Sequence, residues 1–542
     1  MCGISGIYGL SDKTTVRNMS NKLMHRGPDG YGFYIDDKLS LGLRRLSIID
    51  IKNGNQPIFN ENKDKCVVFN GEIYNYKELR KNLEKKLHRF YTETDTEVII
   101  HLYEEFGENC VHFLDGMFAF VIFDKNKLFI ARDRFGIKPF YYTEIDKKII
   151  FASEIKAIFQ MEEVRRNIDI QSLYEFGIFG HLIGDSTMFD GIKQLEPGHF
   201  MIIDNNGIKI KKYWGVNSQN LIKYEKKAIS GIKKLIEQGI KNQLIADVPI
   251  GVFLSGGVDS SILTMIAKKH YKNIKTFSVS DDYENEDLVN ARKVAGILNT
   301  NHKEFILSPE YIIKEIPNYI YHLENPDYKF IFWYLVSKEA SRYVKVGLSG
   351  EGSDEQFCGY PMYHNIFLYK ENLKKRYSNI MPMNFRRESY FKKLISNTNK
   401  GKDMHKLINY GLKSQLDHLQ LTPVDHSTMA ASMEVRVPYL DTNLVEFTSK
   451  ISPDLKINNV EKYILRKAFM NKLLPKEIIL RKKLFGGRST FQKSFEQLEN
   501  LTDFKVKKYK SIFKNRSSLM LSYNILKETF IYNNCKILKN FI

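Results

Sequence analysis

The chain has 542 residues, room for two to four domains at about 150 residues each, and its 43% hydrophobic and 27% charged content excludes a disordered or fibrous protein. Lysine and arginine (82) exceed aspartate and glutamate (63) and leave a net charge of +19. That balance suits an anionic substrate or nucleic acid, although the two densest basic runs, 374–393 and 505–516, read more simply as solvated faces.

The first residues carry no signal-peptide pattern, and no apolar run approaches the ~18 residues of a membrane span. Five scattered cysteines (Cys2, Cys66, Cys110, Cys358, Cys535) form no CxxC pair, which speaks against a disulfide framework or a zinc site. The expected location is the cytoplasm. Up to about residue 214, short alternating or apolar runs recur: GISGIYGL, YGFYID, KCVVFN, GMFAFVIFD, KLFIARD, IIFASE and HFMIID. Gly, Asn and Asp turns separate them, as in a β-sandwich. Two stretches, YKELRKNLEKK and TEVIIHLYEEFG, carry helical periodicity instead.

Cys2 follows Met1, and its small side chain favours removal of that methionine. The freed α-amine, which titrates near pH ~8, then sits beside the thiol and can serve as its base without a separate histidine. A cysteine at position two is by itself ordinary. Behind it, however, come GISGIYG (3–9), HRGPDG (25–30), RRLSIID (44–50), FNGEIYN (69–75), TDTEVI (94–99) and ARDRFGIKPFYY (131–142), in that order. Together these resemble the class II glutamine amidotransferases, which fold as an α+β N-terminal-nucleophile β-sandwich. The resemblance implies that Cys2 attacks the glutamine side-chain amide. It assigns the oxyanion donors to the Asn70 side chain and the Gly71 backbone. Arg45 would receive the substrate carboxylate through its planar fork, Asp95 and Glu72 the ammonium, and Leu46, Ile48 and Ile49 would line the pocket.

From about residue 222 strand and helix alternate. The helix YEKKAISGIKKLIEQGIKNQL leads into the strand VPIGVFL, and SSILTMIAKKH, IKTFSVS, NEDLVNARKVAGIL and HKEFIL follow. Such alternation predicts a parallel α/β sheet, with mostly helix beyond residue 355. The expected domains are 1–214 and 222–542. LSGGVDSS (254–261) sits between a strand and a helix, where glycines let backbone N–H groups and the helix N-terminus face an anion. It lacks the ending of a Walker A loop. It resembles the pyrophosphate loop of ATP pyrophosphatases, enzymes that cleave ATP to AMP and pyrophosphate.

A second loop, LSGEGSDEQFCGY (348–360), joins MEVRVPYLD (433–441) and VEKYILRKAF (460–469). With the first loop, these closely resemble the synthetase domain of the glutamine-hydrolysing asparagine synthetases. The resemblance implies an α/β parallel-sheet ATP-pyrophosphatase domain with a helical C-terminal part. It assigns ATP to Leu254, Ser255, Gly256, Gly257, Asp259, Ser260, Val279, Ser349 and Gly350, and magnesium to Asp259 and Asp354. Glu351 would assist formation of an acyl-adenylate, and Lys462 would neutralise phosphate charge. Without the motif, Lys462 would read as an exposed helical lysine. Glu434 and Arg436 match the family pattern with no role assigned.

The implied reaction joins the two halves: ammonia released from glutamine displaces AMP from an activated carboxylate. Small-molecule substrates, ATP and magnesium are therefore expected, with no nucleic acid and no membrane; a homodimer stays open. Aspartate is the first expectation for the acceptor. However, DYKFIFWYLVSK (327–338) is crowded with aromatics where family members that use aspartate have small and hydroxyl-bearing residues, and an amino-acid carboxylate wants polar donors. The alternative acceptor is another carboxylate, such as a uronic acid of a surface polysaccharide. A tRNA-modifying pyrophosphatase would suit the basic runs, but it would need neither Cys2 nor the amidotransferase motifs.

Overall fold

The apolar runs of the N-terminal half become two six-stranded antiparallel sheets. In the computed structural model of the chain, the described residues are 2–216, 221–380, 382, 384–396, 404, 407–458, 460–470, 472–482, 490–501 and 517–532. The basic run 505–516 lies outside them. One sheet is ordered Lys193–Gln194, Tyr141–Ile145, Lys148–Ala152, Cys2–Tyr8, Leu39–Arg45, Gly30–Ile35. The other is ordered Gly207–Lys212, His199–Asp204, Lys127–Arg132, Gly116–Asp124, Lys65–Ile73, Ile58–Phe59.

The sheets pack face to face. Ile4, Leu41 and Leu43 of the first meet Val68, Ala119, Val121, Ile130 and Met201 of the second. Successive strand residues point to opposite faces, so Phe118, Phe120 and Ile122 turn to the outer side, under the helix Glu97–Phe106. Both faces are buried, which is why Gly116–Asp124 reads as one continuous apolar run. Register then sets chemistry: Cys2 lies opposite Arg45 on the neighbouring strand.

The second half holds a five-stranded parallel sheet, in the order Asn301–Ile306, Lys275–Ser280, Ile250–Phe253, Val346–Leu348, Glu434–Arg436. The last strand interrupts a region that reads from sequence as mostly helix. Strand order reverses between Ile250–Phe253 and Val346–Leu348. In parallel sheets the ligand crevice opens beyond the strand ends at that reversal, where both glycine loops emerge. Phe330–Tyr334 enters the helix Ile331–Ala340, with Trp333 packed edge-on to Phe253 at 5.2 Å.

Buried ion pairs bind the halves together. Arg132 meets Asp417 at 2.9 Å, Arg26 meets Asp425 at 2.8 Å, and Lys156 meets Glu324 at 3.0 Å. Such pairs add little net stability, because desolvation offsets their attraction. Here they hold two pocket-bearing sheets in one relative position.

Candidate active sites

The first site forms around the start of the first strand. The Cys2 backbone nitrogen donates to Asn70 Oδ1 at 3.0 Å. That turns the amide end of Asn70 away, and its Nδ2 is fully buried without a hydrogen-bond partner among the described residues. An unpaired buried donor is costly unless a ligand atom takes it up. At Gly71 a side chain would lie 2.0 Å from the Met117 carbonyl, so only glycine permits the strand to pass there. Burial raises the Cys2 thiol above its ordinary value, against the Leu46 backbone and Arg45, which lower it.

Cys2, Arg45, Leu46, Ile48, Ile49, Gly71, Glu72 and Asp95 line one small pocket. Arg45 Nη atoms donate to the carbonyls of Ile49, Ile51 and Asp50 at 3.1, 3.2 and 2.7 Å. Among the described residues Arg45 has no carboxylate partner, so its charge is held in place yet uncompensated. At the other end, Ile73 N–H donates to Asp95 at 2.8 Å. Burial pushes Asp95 up to about 6 even so. Burial, reinforced by Glu434 and Asp95, holds Glu72 well above the ordinary carboxylate range. Sequence reasoning missed Gln56, Thr94 and Thr96, which also line the pocket. Gln56 Nε2 donates to the Phe69 carbonyl at 3.2 Å and stands 4.0 Å from Cys2 Sγ.

The second site is a cavity of about 210 Å³ at the strand-order reversal. Gly256 has φ +67°, and a side chain there would lie 2.4 Å from the Ala291 nitrogen, so the loop needs glycine to turn. Leu254, Ser255, Gly257, Asp259, Ser260, Val279, Ser349, Gly350, Glu351, Asp354 and Lys462 all line the cavity. Gly256 shapes the loop from behind. Ser353 Oγ donates to Asp259 at 2.7 Å, which ties the two loops together.

Lys462 is neither exposed nor inside a helix. It is 1% exposed, precedes the helix Tyr463–Phe469 in left-handed backbone, and its ammonium bridges Asp259 and Asp354, the latter at 2.6 Å. The two carboxylates are hard oxygen donors converging from separate loops, a set that fits magnesium. Phe332 and Trp333, from the aromatic run flagged in the sequence, are part of the wall, as are Arg466 and Arg481, which the sequence reading missed. Beneath it lies Glu355, also missed. Burial and the charges of Asp354 and Glu351 push Glu355 up to about 8, and Tyr360 donates to it at 2.9 Å.

Glu434 and Arg436 lie between the two pockets. The Arg436 guanidinium pairs with Glu434 at 2.6 Å and approaches Glu72 of the first pocket at 3.4 Å. The Arg436 carbonyl accepts from Ser349 N–H of the second at 2.9 Å. No local pattern reveals this contact, because Glu72 and Ser349 lie 364 and 87 residues from Arg436 in the chain.

Residues 1–214 match the glutamine amidotransferase domain family, and residues 231–515 match the asparagine synthase family. The chain is 33% identical over 547 residues to the glutamine-hydrolyzing asparagine synthetase 1 of Bacillus subtilis (strain 168), covering 89% of this chain and 86% of that one. It is 34% identical over 516 residues to the glutamine-hydrolyzing asparagine synthetase 1 of Arabidopsis thaliana, with 89% and 77% covered.

Proposed function

We propose, for a chain that belongs to the glutamine-hydrolysing asparagine synthetase family, that its acceptor is aspartate and that ammonia passes internally between the two pockets. The protein is a glutamine-dependent, amide-forming carbon–nitrogen ligase that uses ATP. In the proposed mechanism residues 1–214 carry the glutaminase and residues 222–542 the synthetase. Cys2 Sγ attacks the side-chain carbonyl of glutamine while Asn70 Nδ2 and Gly71 N–H receive the oxyanion. The thiol proton passes to the departing nitrogen, the C–N bond breaks to release neutral ammonia, and water hydrolyses the thioester to glutamate and the free thiol. In the second pocket an acceptor carboxylate oxygen attacks the α-phosphorus of ATP and expels pyrophosphate, with Lys462 balancing the departing charge. Asp259 and Asp354 would hold magnesium, which supplies charge neutralisation on the phosphates. Ammonia then attacks the acyl carbon, loses a proton, and expels AMP.

The observation that carries this coupling is the contact from Glu72 through Arg436 to Ser349, which places two chemically matched pockets on one buried frame. An internal passage has a chemical reason. Ammonia released to neutral water becomes ammonium and loses its nucleophilic lone pair.

Asp95 supplies a pH test. Receiving the glutamine ammonium requires its carboxylate, and burial raises that group to about 6 in the free protein. The kcat/KM for glutamine should therefore fall about tenfold per pH unit below that value, while ammonium-driven synthesis should not show the same limb. A flat glutamine profile between about pH 5 and 7 would remove Asp95 from the binding set.

Acceptor choice rests on the aromatic wall. Trp333 packs against Phe253 and also lines the cavity, so core packing and pocket lining are not exclusive here. Its buried indole N–H has no hydrogen-bond partner among the described residues, a donor available to a carboxylate. Pyrophosphate release with aspartate alone, at saturating ATP and ammonium, is the deciding measurement. Release well above background, with asparagine formed, is expected; none, together with release on a uronate, would move the assignment to a sugar acid. Trp333→Ala should raise the KM of the acceptor more than that of ATP.

A further inference from the structure

We propose that the glutaminase half carries a divalent transition-metal site, suited to zinc, formed by Glu61, His88, His101 and Glu104. The cysteine count gave no reason to expect one, but these ligands are histidine and glutamate. His101 and Glu104 stand three residues apart on the helix Glu97–Phe106. His88 comes from the stretch after the helix Tyr76–Glu84, and Glu61 from the turn after the strand Ile58–Phe59. One donor atom from each of the four lies within 4.8 Å of the others. His88 Nδ1 is 3.4 Å from Glu61 and 3.7 Å from Glu104; His101 Nδ1 is 3.6 Å from Glu61 and 3.1 Å from Glu104. Donors at ~2.0–2.1 Å from a tetrahedral zinc ion stand about 3.3 Å from one another. The four imidazole–carboxylate separations, 3.1–3.7 Å, bracket that value, with Glu61 facing one imidazole through each of its two oxygens.

The outer contacts match as well. Both imidazoles turn Nδ1 inward; His88 Nε2 is hydrogen-bonded to Glu105 at 3.2 Å, and His101 Nε2 faces Glu97 at 3.6 Å, beyond hydrogen-bond distance. A carboxylate behind the distal nitrogen orients a ligating histidine and raises its basicity. Asn60 Nδ2 donates to the other oxygen of Glu104 at 2.8 Å, and Arg89 N–H donates to Glu61 at 2.9 Å. The Phe90 ring packs on fully buried His101 at 4.6 Å, and the exposed Glu61 leaves an entry path. The other histidine cluster, His25, Glu154 and His322, differs in kind, because Arg26 and Lys156 already saturate Glu154 at 2.9 and 2.5 Å. A bound ion would clamp the helix that follows Thr94–Thr96, one wall of the glutamine pocket.

The test uses the full chain with Cys2→Ala, which removes the reactive thiol as a competing ligand, stripped with chelator and titrated with Zn2+ in saturating Mg2+. One tight equivalent per chain is expected by calorimetry, and Co2+ in its place should give the strong visible bands of tetrahedral coordination. His88→Ala and Glu61→Gln, both toward the surface, should each lose that equivalent. Glu105→Gln should weaken it about 10- to 100-fold. No zinc bound by the Cys2→Ala protein, or the same equivalent bound in both ligand variants, would overturn the site.

Discussion

Cys2→Ala should lower glutamine hydrolysis on the order of 10⁶-fold, the loss seen when a nucleophilic hydrolase loses its attacking atom, while synthesis from added ammonium keeps its rate. The substitution deletes one sulfur from a buried position and leaves Asn70, Arg45 and Asp95 in place, so the pocket should still bind glutamine. Isothermal titration would register that binding, and glutamate release would register the loss. Ammonium-driven amide formation acts as the internal control, because the second pocket shares no side chain with Cys2. Native-rate hydrolysis by the variant would remove Cys2 as the nucleophile. Loss of both activities together would instead mean that the substitution disturbs the frame through Arg436.

Lys462→Met should cut ATP-dependent pyrophosphate release by about 10²- to 10³-fold, the usual cost of deleting one preorganised charge stabiliser. The side chain is buried between Asp259 and Asp354, so its removal also leaves two like charges facing each other. Breaking such a buried pair costs about 3–5 kcal/mol, and thermal unfolding should shift downward accordingly. Retained glutamine hydrolysis in the same sample would show that the protein remains folded. The paired variant Asp259→Asn with Asp354→Asn should lose pyrophosphate release for a different reason, the missing hard ligands for magnesium. Persistent AMP formation in that protein would sink the metal role, and ADP as the product would overturn the pyrophosphatase chemistry altogether.

Chain-local chemistry is legible in the amino-acid sequence alone. The loop 254–261 needs glycine where the backbone turns and a helix start where N–H groups face an anion, and both requirements are written within one short run of consecutive residues. Cys2, the Asn70–Gly71 pair, Arg45 and Asp95 are likewise each marked by their neighbours. Strand and helix periodicity separates the antiparallel half from the parallel one for the same reason, since it reflects contacts repeated along one element.

What tertiary structure alone decided are contacts whose members lie far apart in the chain. Lys462, an apparent surface lysine, becomes a buried bridge because a left-handed turn before its helix aims it between two loops that lie far upstream. Glu434 and Arg436 become the link between pockets because their short stretch adds a fifth strand, which three residues in a helical region do not announce. Phe332 and Trp333 serve both core and cavity because a helix presents neighbouring residues to different surroundings. The four ligands Glu61, His88, His101 and Glu104 follow no metal-binding spacing, and a turn, a loop and a helix bring them together only after the sandwich has closed.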